Sequence, residues 1–255
     1  MKKFYVGTCG QVVSWKKFFD TYSALEINAT FYKFPGERQV SNWHKYIAIG
    51  KEKGAFVSFK VHQLFTHPVN SPTWKRSEFG PEERKKIKDL VGCLKFNDFT
   101  RNYLKKTKEL AEKLLADFIL FQLPAACGSQ KENFKNFFNE ASKFFACPQG
   151  IEIRWEDLDL LDELNVSLGV IPVFDPFLWP NLREYFFPRL DFLYLRLHGQ
   201  KDERGKLIYS YRYRDEELNQ LKNWLLKTKA SQIVVLFNNT YMKEDALRFV
   251  EKLSG

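Results

Sequence analysis

Asp191-Phe192-Leu193-Tyr194-Leu195-Arg196-Leu197-His198 puts leucine at every second position and sets Tyr194, Arg196 and His198 between them. Successive side chains of a β-strand point to opposite faces, so this stretch is a strand with one aliphatic face and one face that carries charge. The same parity recurs upstream. Ile151 and Ile153 oppose Glu152 and Arg154, Leu25 and Ile27 oppose Glu26 and Asn28, and Val57, Phe59 and Val61 oppose Ser58 and Lys60.

Working outward, short apolar runs alternate with helical periodicities along the whole chain. The strands are expected at Phe4–Thr8, Ala24–Asn28, Ala55–Val61, Phe118–Leu123, Gly150–Arg154, Ser167–Val173, Asp191–Leu197 and Gln232–Phe237. Between them, Ser129-x-x-Glu132 reads as a capping box ahead of Phe134, Phe137, Phe138, Ala141 and Phe145. Leu104, Ala111, Leu114 and Leu115 mark another helix, Leu218, Leu221 and Leu225 a third, and Met242, Ala246, Phe249, Val250 and Leu253 the last. The third and fourth strands are separated by room for two helices, Pro81–Leu94 and Arg101–Leu115, so one of these is an insertion.

Eight strands alternating with helices over 255 residues is the rhythm of a (β/α)8 TIM barrel, one α/β domain spanning 1–255. An open doubly wound sheet is the competitor, but no G-x-G-x-x-G follows the first strand and no linker divides the chain. In a barrel the aliphatic parity meets the helices and the polar parity faces the axis. The polar residues also sit late in their strands, at the end where barrel enzymes place their chemistry.

Composition narrows the classes. With 44% apolar and 28% charged residues the chain can bury a substantial core, and no apolar run approaches the roughly 20 residues that span a bilayer. The start, Met1–Gly10, lacks a secretory apolar stretch, so a cytoplasmic location and no membrane partner are expected. Cys9, Cys93, Cys127 and Cys147 show no paired spacing and read as reduced thiols. The net charge of +9 permits a polyanion as partner. The densest run, Arg84–Lys88, alternates with Ile87, Leu90, Val91 and Leu94 and reads as the wet face of a helix.

Gly7-Thr8-Cys9-Gly10, Glu26-Ile27-Asn28-Ala29-Thr30-Phe31-Tyr32, Lys60, Thr66-His67, Phe121-Gln122-Leu123-Pro124, Glu152-Ile153-Arg154, Arg196-Leu197-His198-Gly199 and Phe237-Asn238-Asn239 stand in an order that resembles the YecE-like family, domain of unknown function 72. The resemblance runs from about residue 4 to the C-terminus and implies a TIM barrel without an established reaction. Where the family's first motif usually reads G-T-S-G, this chain has Cys9, and its first aromatic after the motif is Trp15. Cys9 is then either a thiol activated by nearby cations or a neutral replacement in a tight turn.

Charges inside a barrel carry a desolvation penalty of about several kcal/mol per ion, so they are paired or line a ligand site. Two readings follow. In the first, Glu26 and Glu152 pair with Arg154 and Arg196 as a buried structural network. In the second, Lys60, Arg154 and Arg196 hold a phosphate or carboxylate, Glu26 or Glu152 is the base and His198 the acid of a phosphoester hydrolase. Asn28, Tyr32, His67, Gln122, Asn238 and Asn239 would bind the substrate, a nucleotide, nucleic acid or sugar phosphate, with Phe31, Tyr32 and Trp43 as stacking surfaces. A non-catalytic nucleotide- or nucleic-acid-binding protein is the alternative. No cofactor and no obligate protein partner are expected. His67, His198, Glu26, Glu152 and Asp175 are the one set suited to a divalent metal, and the three cations oppose it.

Overall fold

In the computed structural model, which describes residues 2–254, eight parallel strands form a closed barrel with helices between them. These are β1 (Lys3–Cys9), β2 (Ala24–Ile27), β3 (Phe56–Lys60), β4 (Phe118–Leu123), β5 (Gln149–Ile153), β6 (Ile171–Phe174), β7 (Phe192–Leu197) and, after a small antiparallel hairpin of β8 (Gln200–Lys201) and β9 (Leu207–Ile208), β10 (Gln232–Phe237). The order around the barrel is β1-β10-β7-β6-β5-β4-β3-β2. The expected (β/α)8 architecture is thus the observed one. The helices are α1 (Trp15–Thr21), α2 (Glu37–Glu52), α3 (Gln63–Thr66), α4 (Pro81–Ile87), α5 (Asp98–Lys113), α6 (Glu132–Ala141), α7 (Leu158–Leu168), α8 (Pro180–Phe186), α9 (Asp215–Lys227) and α10 (Met242–Ser254). No described helix is long and apolar enough to cross a membrane.

The chain forms two compact units. The first holds the chain up to Glu26, Ala48–Phe56 and the chain from Val173 onward; the second holds Ile27–Ile47 and Val57–Pro172. Each has its own apolar packing. In the first, Leu193, Leu195 and Leu197 of β7 and Ile233, Val235 and Phe237 of β10 are fully buried in neighbouring strands, the aliphatic parity that the sequence displays. In the second, Phe65, Phe121, Phe137 and Phe138 pack ring on ring with centroids 5.3–6.2 Å apart. Several expected boundaries move for local reasons. Ser167 and Leu168 end α7 rather than begin a strand, because Gly169 takes the left-handed conformation (φ +66°) and its N–H caps Asn165 O, so β6 starts at Ile171.

The capping box at Ser129 does not form. The chain from Cys127 is already wound by Gln130 N–H to Cys127 O, and α6 begins only at Glu132, behind Lys131. A capping box does form at Asn97, whose Oδ1 accepts from Thr100 N (3.1 Å) while its own N–H meets Thr100 Oγ1 (3.0 Å) at the head of α5. The helix expected over Pro81–Leu94 stops at Ile87. Gly92, Cys93 and Leu94 instead take left-handed φ values of +83°, +47° and +57°, and their N–H groups bond the carbonyls of Leu64, Thr66 and Phe65.

That turn overturns the reading of four reduced thiols. It sets Cys93 beside the 3-10 turn Ala125–Cys127 that follows β4, and Cys93 and Cys127 form a buried disulfide across 34 residues. Cys9 and Cys147 are not in disulfides.

Candidate functional site

In the second unit, polar residues gather where β3, β4 and β5 end. Lys60 is the last residue of β3, Gln122 and Glu152 stand opposite each other in the β4–β5 register, and Arg154 immediately follows β5, its N–H bonded to Leu123 O. Lys60 Nζ donates to Gln122 Oε1 at 2.7 Å and lies 3.7 Å from the centre of the Phe31 ring. Thr30 Oγ1 donates to Lys60 O, which fixes the backbone beneath that ammonium. Arg154 Nη1 lies 3.1 Å from Glu152 Oε1; the arginine side chain is 21% exposed and the glutamate side chain 3%. A buried acid therefore aims a cation that still reaches solvent.

His67 completes this cluster. Its Nδ1 lies 2.8 Å from Thr66 Oγ1, its ring packs edge-on against Phe31 at 4.9 Å, and its carbonyl accepts from Trp74 Nε1. Burial, and then the positive fields of Lys60 and Arg154, push its pKa from 6.5 to about 3. At neutral pH it is an uncharged imidazole beside two cations. Tyr32, half-buried, stacks edge-on against Phe31 (4.9 Å), and the exposed Arg76 lies over its ring at 5.2 Å.

In the first unit the polar residues of β2 and β7 are sealed. Arg196 Nη2 donates to Glu26 Oε1 at 2.8 Å and Tyr194 Oη donates to Glu26 Oε2 at 2.7 Å, so both carboxylate oxygens are engaged; the arginine is 1% exposed and the glutamate 0%. Arg196 Nη1 lies 3.4 Å from His198 Nε2, and Asp175 accepts the backbone N–H of His198 (2.7 Å) and of Phe177 (3.0 Å). Further out, Asn239 donates to Asp245 Oδ2 and to Tyr211 O, and Arg248 donates to Asp245 Oδ1. Burial raises the Asp245 carboxyl despite those bonds. Tyr213, whose hydroxyl bonds the Gly199 backbone, is pushed well up, by burial first and by the Asp175 charge second.

The model of the family described as protein of unknown function DUF72 matches residues 2–255. The chain belongs to the DUF72 family. A crystal structure of a DUF72 family protein from Enterococcus faecalis V583 superposes with a TM-score of 0.68 at 18% identity, covering 100% of this chain and 99% of that one. The same fold is found in SacUVDE (TM-score 0.54, 13% identity, 100% and 98% covered) and in an AP endonuclease, family 2, from Brucella melitensis (TM-score 0.53, 12% identity, 99% of both chains). Among curated proteins no match is found.

Within this DUF72 chain the residues expected from the sequence fall into the two clusters rather than one list. Lys60, His67, Gln122, Glu152 and Arg154 come together in the second unit; Glu26, Arg196 and His198 come together in the first. Asn28 caps the 3-10 turn Ala29–Phe31 and Asn238 directly follows β10, each half-buried. Asn239 belongs to the Asp245 network. Phe31 is buried as the seat of the Lys60 ammonium, and Trp43 is buried in α2 rather than offered for stacking. Among the described residues no three His, Cys, Asp or Glu side chains are grouped to hold a metal ion, and no step is drawn through one. Sequence reasoning passed over Tyr213, Asp245 and Arg248 and saw Tyr194 only as a strand residue. The visible signal for Tyr194 was its sharing of the polar parity with Arg196.

Proposed function

We propose that this DUF72 chain is an enzyme acting on a phosphorylated or otherwise anionic substrate, hydrolysing a phosphoester of a nucleotide, nucleic acid or sugar phosphate, with Lys60 and Arg154 holding the anion. The observation that carries this reading is a pair of partly accessible cations beside a histidine kept neutral by burial and by their charge. Arginine offers two parallel donors to a phosphate, and Glu152 holds that fork in place. The Gln122 oxygen is committed to Lys60, which leaves its amide NH2 as a further donor.

The chemistry follows from the charges. Burial is the larger cause of the depressed His67 pKa and the cation field the smaller; a bound phosphate offsets the second, so the imidazole becomes more basic as the substrate arrives. The imidazole then takes the proton of an attacking water as the oxygen–phosphorus bond forms, and returns it to the ester oxygen as the old bond breaks. Lys60 and Arg154 stabilise the charge on the non-bridging oxygens throughout. Glu26 and His198, held by Arg196, Tyr194 and Asp175, serve as support in this scheme. The likeness to barrels of other names is one of fold, and barrels host many unrelated reactions.

The test is urea unfolding of the wild type and Arg154→Ala with inorganic phosphate, sugar phosphates, nucleotides and short oligonucleotides. A ligand at about 100 times its Kd stabilises by about 2.7 kcal/mol. The expected result is such a gain in the wild type, lost in Arg154→Ala, with phosphate released from the stabilising ligand by the wild type and not by His67→Asn. Binding without turnover would favour a non-catalytic nucleotide- or nucleic-acid-binding protein. No gain from any anion would overturn the proposal.

A further inference from the structure

Away from the strand ends of the second unit, a cavity of about 830 Å³ runs beside α2 and α5, within the size range of small-molecule sites. Its apolar lining includes Phe34, Val40, Tyr103 and Leu110. Phe34 meets Tyr103 with ring centroids 5.6 Å apart, and on another side it stacks on the buried His62 at 5.1 Å and 18°. One end is closed by a hydrogen bond from α2 to α5, His44 Nδ1 to Lys113 O at 2.6 Å. Such a cavity would suit any apolar molecule were it not for what lies in its wall.

Glu78 lines the cavity with its side chain about one-third exposed. His62 Nδ1 accepts the N–H of Leu64 (3.1 Å), so Nε2 carries the proton, and it lies 3.1 Å from both Tyr32 O and Glu78 Oε2. A buried, fixed donor thus pins one carboxylate oxygen against the aromatic wall. Burial works to raise the Glu78 pKa, but the His62 hydrogen bond and the backbone N–H groups outweigh it and hold the carboxyl below its ordinary value. Glu37 and Glu109 add further carboxylates to the lining, while Lys106 is laid over the Tyr103 ring at 4.6 Å. With Glu37, Glu78 and Glu109 against Lys106 and Lys113, the lining carries one net negative charge on a chain of net charge +9.

We infer that this cavity binds a small organic cation with an apolar body, an aryl- or alkylammonium, whose charge meets Glu78 while its body lies along Phe34 and Tyr103. An ammonium gains from the carboxylate by a charge-assisted hydrogen bond and from the flanking rings by their negative faces. A neutral ligand of the same shape would forgo both, and an anion would be repelled. The site is separate from the Lys60–Arg154 cluster, and its occupancy is independent of whether that cluster binds phosphate.

The experiment is calorimetric titration of the full chain with phenethylammonium, with 2-phenylethanol as its neutral isostere. Saturable binding of the ammonium, at least tenfold tighter than the alcohol, is expected. Glu78→Gln should weaken it tenfold or more and Tyr103→Leu about threefold. Urea midpoints of both variants confirm that each is folded, and Tyr103→Leu leaves the His62–Glu78 bond intact should Glu78→Gln unfold. Equal affinity for ammonium and alcohol, unchanged affinity in Glu78→Gln, or no saturation would overturn the inference. So would Glu78-dependent binding of a lysine-rich peptide in place of the small amine, which would make the cavity a docking site for a protein segment.

Discussion

Arg196 and Arg154 sit at equivalent points of their strands, late in β7 and just past β5, and each has a glutamate for a partner, yet their surroundings differ in kind. Around Arg196 the acid's two oxygens are both taken, by the guanidinium and by Tyr194, and water is excluded. Around Arg154 the contact to Glu152 leaves the arginine side chain 21% exposed, with a second cation and a neutral histidine in its company. Residue type and strand position are therefore not enough to mark a functional charge. What separates the two is whether water reaches it: the Arg196 side chain is 1% exposed and that of Arg154 21%. A sealed ion pair specifies a packing arrangement; a partly satisfied cation retains capacity for a ligand.

The sharpest way to break this contrast is to delete each arginine. Arg196→Ala leaves the Glu26 carboxylate buried without its cation, and such losses cost about 3–5 kcal/mol. Arg154→Ala also takes the cation from a buried acid, Glu152, but at a place where the arginine side chain reaches solvent and water can take its position, so a smaller cost of about 1–3 kcal/mol is expected. Urea midpoints measure both. A small cost at Arg196 would mean that water reaches Glu26, and the two clusters would then be alike.

A second contrast is in pH dependence, and it belongs to His67. Its folded pKa, about 3, lies below the ordinary 6.5, so between those values the unfolded chain takes up a proton that the folded chain refuses. Stability contributed by the neutral imidazole is complete above about pH 6.5 and is lost as the pH falls toward 3. For a shift of this size the loss is on the order of 5 kcal/mol at the acid end. It should show as a steeper acid limb in wild type than in His67→Asn when stability is followed against pH. Bound phosphate should flatten that limb in part, by offsetting the share of the shift due to Lys60 and Arg154 and not the larger share due to burial. Parallel limbs for the two proteins would show that His67 does not feel Lys60 and Arg154.

How far the sequence reveals this division follows from what a linear chain can display. Alternation exposes the polar parity of β2, β5 and β7, because strand period is local, and the barrel follows from repeating it with helices between. Local period also misleads: Ser167–Val170 reads as strand, but Gly169 is needed to end α7 in a left-handed turn. The disulfide was hidden because it depends on three consecutive left-handed residues after α4, a conformation that Cys93 and Leu94 do not announce. The two clusters could not be told apart in advance. Tyr194 reaches Glu26 across 168 residues of sequence, and no spacing rule distinguishes that partner from the Glu152 of Arg154, two residues away. Burial of the arginine, not the identity of its partner, separates the two.

The finest comparison removes one uncharged hydrogen-bonding group from each cluster. Tyr194→Phe deletes a hydroxyl that donates to a fully buried carboxylate at 2.7 Å; Gln122→Met deletes an amide that accepts from Lys60 at the same distance but in a partly wet setting. A hydrogen bond to a charge is worth about 1.5–3 kcal/mol when its loss strands that charge away from water, so about 2 kcal/mol is expected for Tyr194→Phe. The Lys60 ammonium can turn to water when Gln122 is gone, and under about 1 kcal/mol is expected there. Denaturation midpoints at neutral pH resolve the two. If Gln122→Met proves as costly as Tyr194→Phe, Lys60 is as closed to solvent as Arg196. Its ammonium would then have to be desolvated in the absence of any ligand, and the Lys60–Arg154 cluster would be a second sealed network rather than a place for an anion.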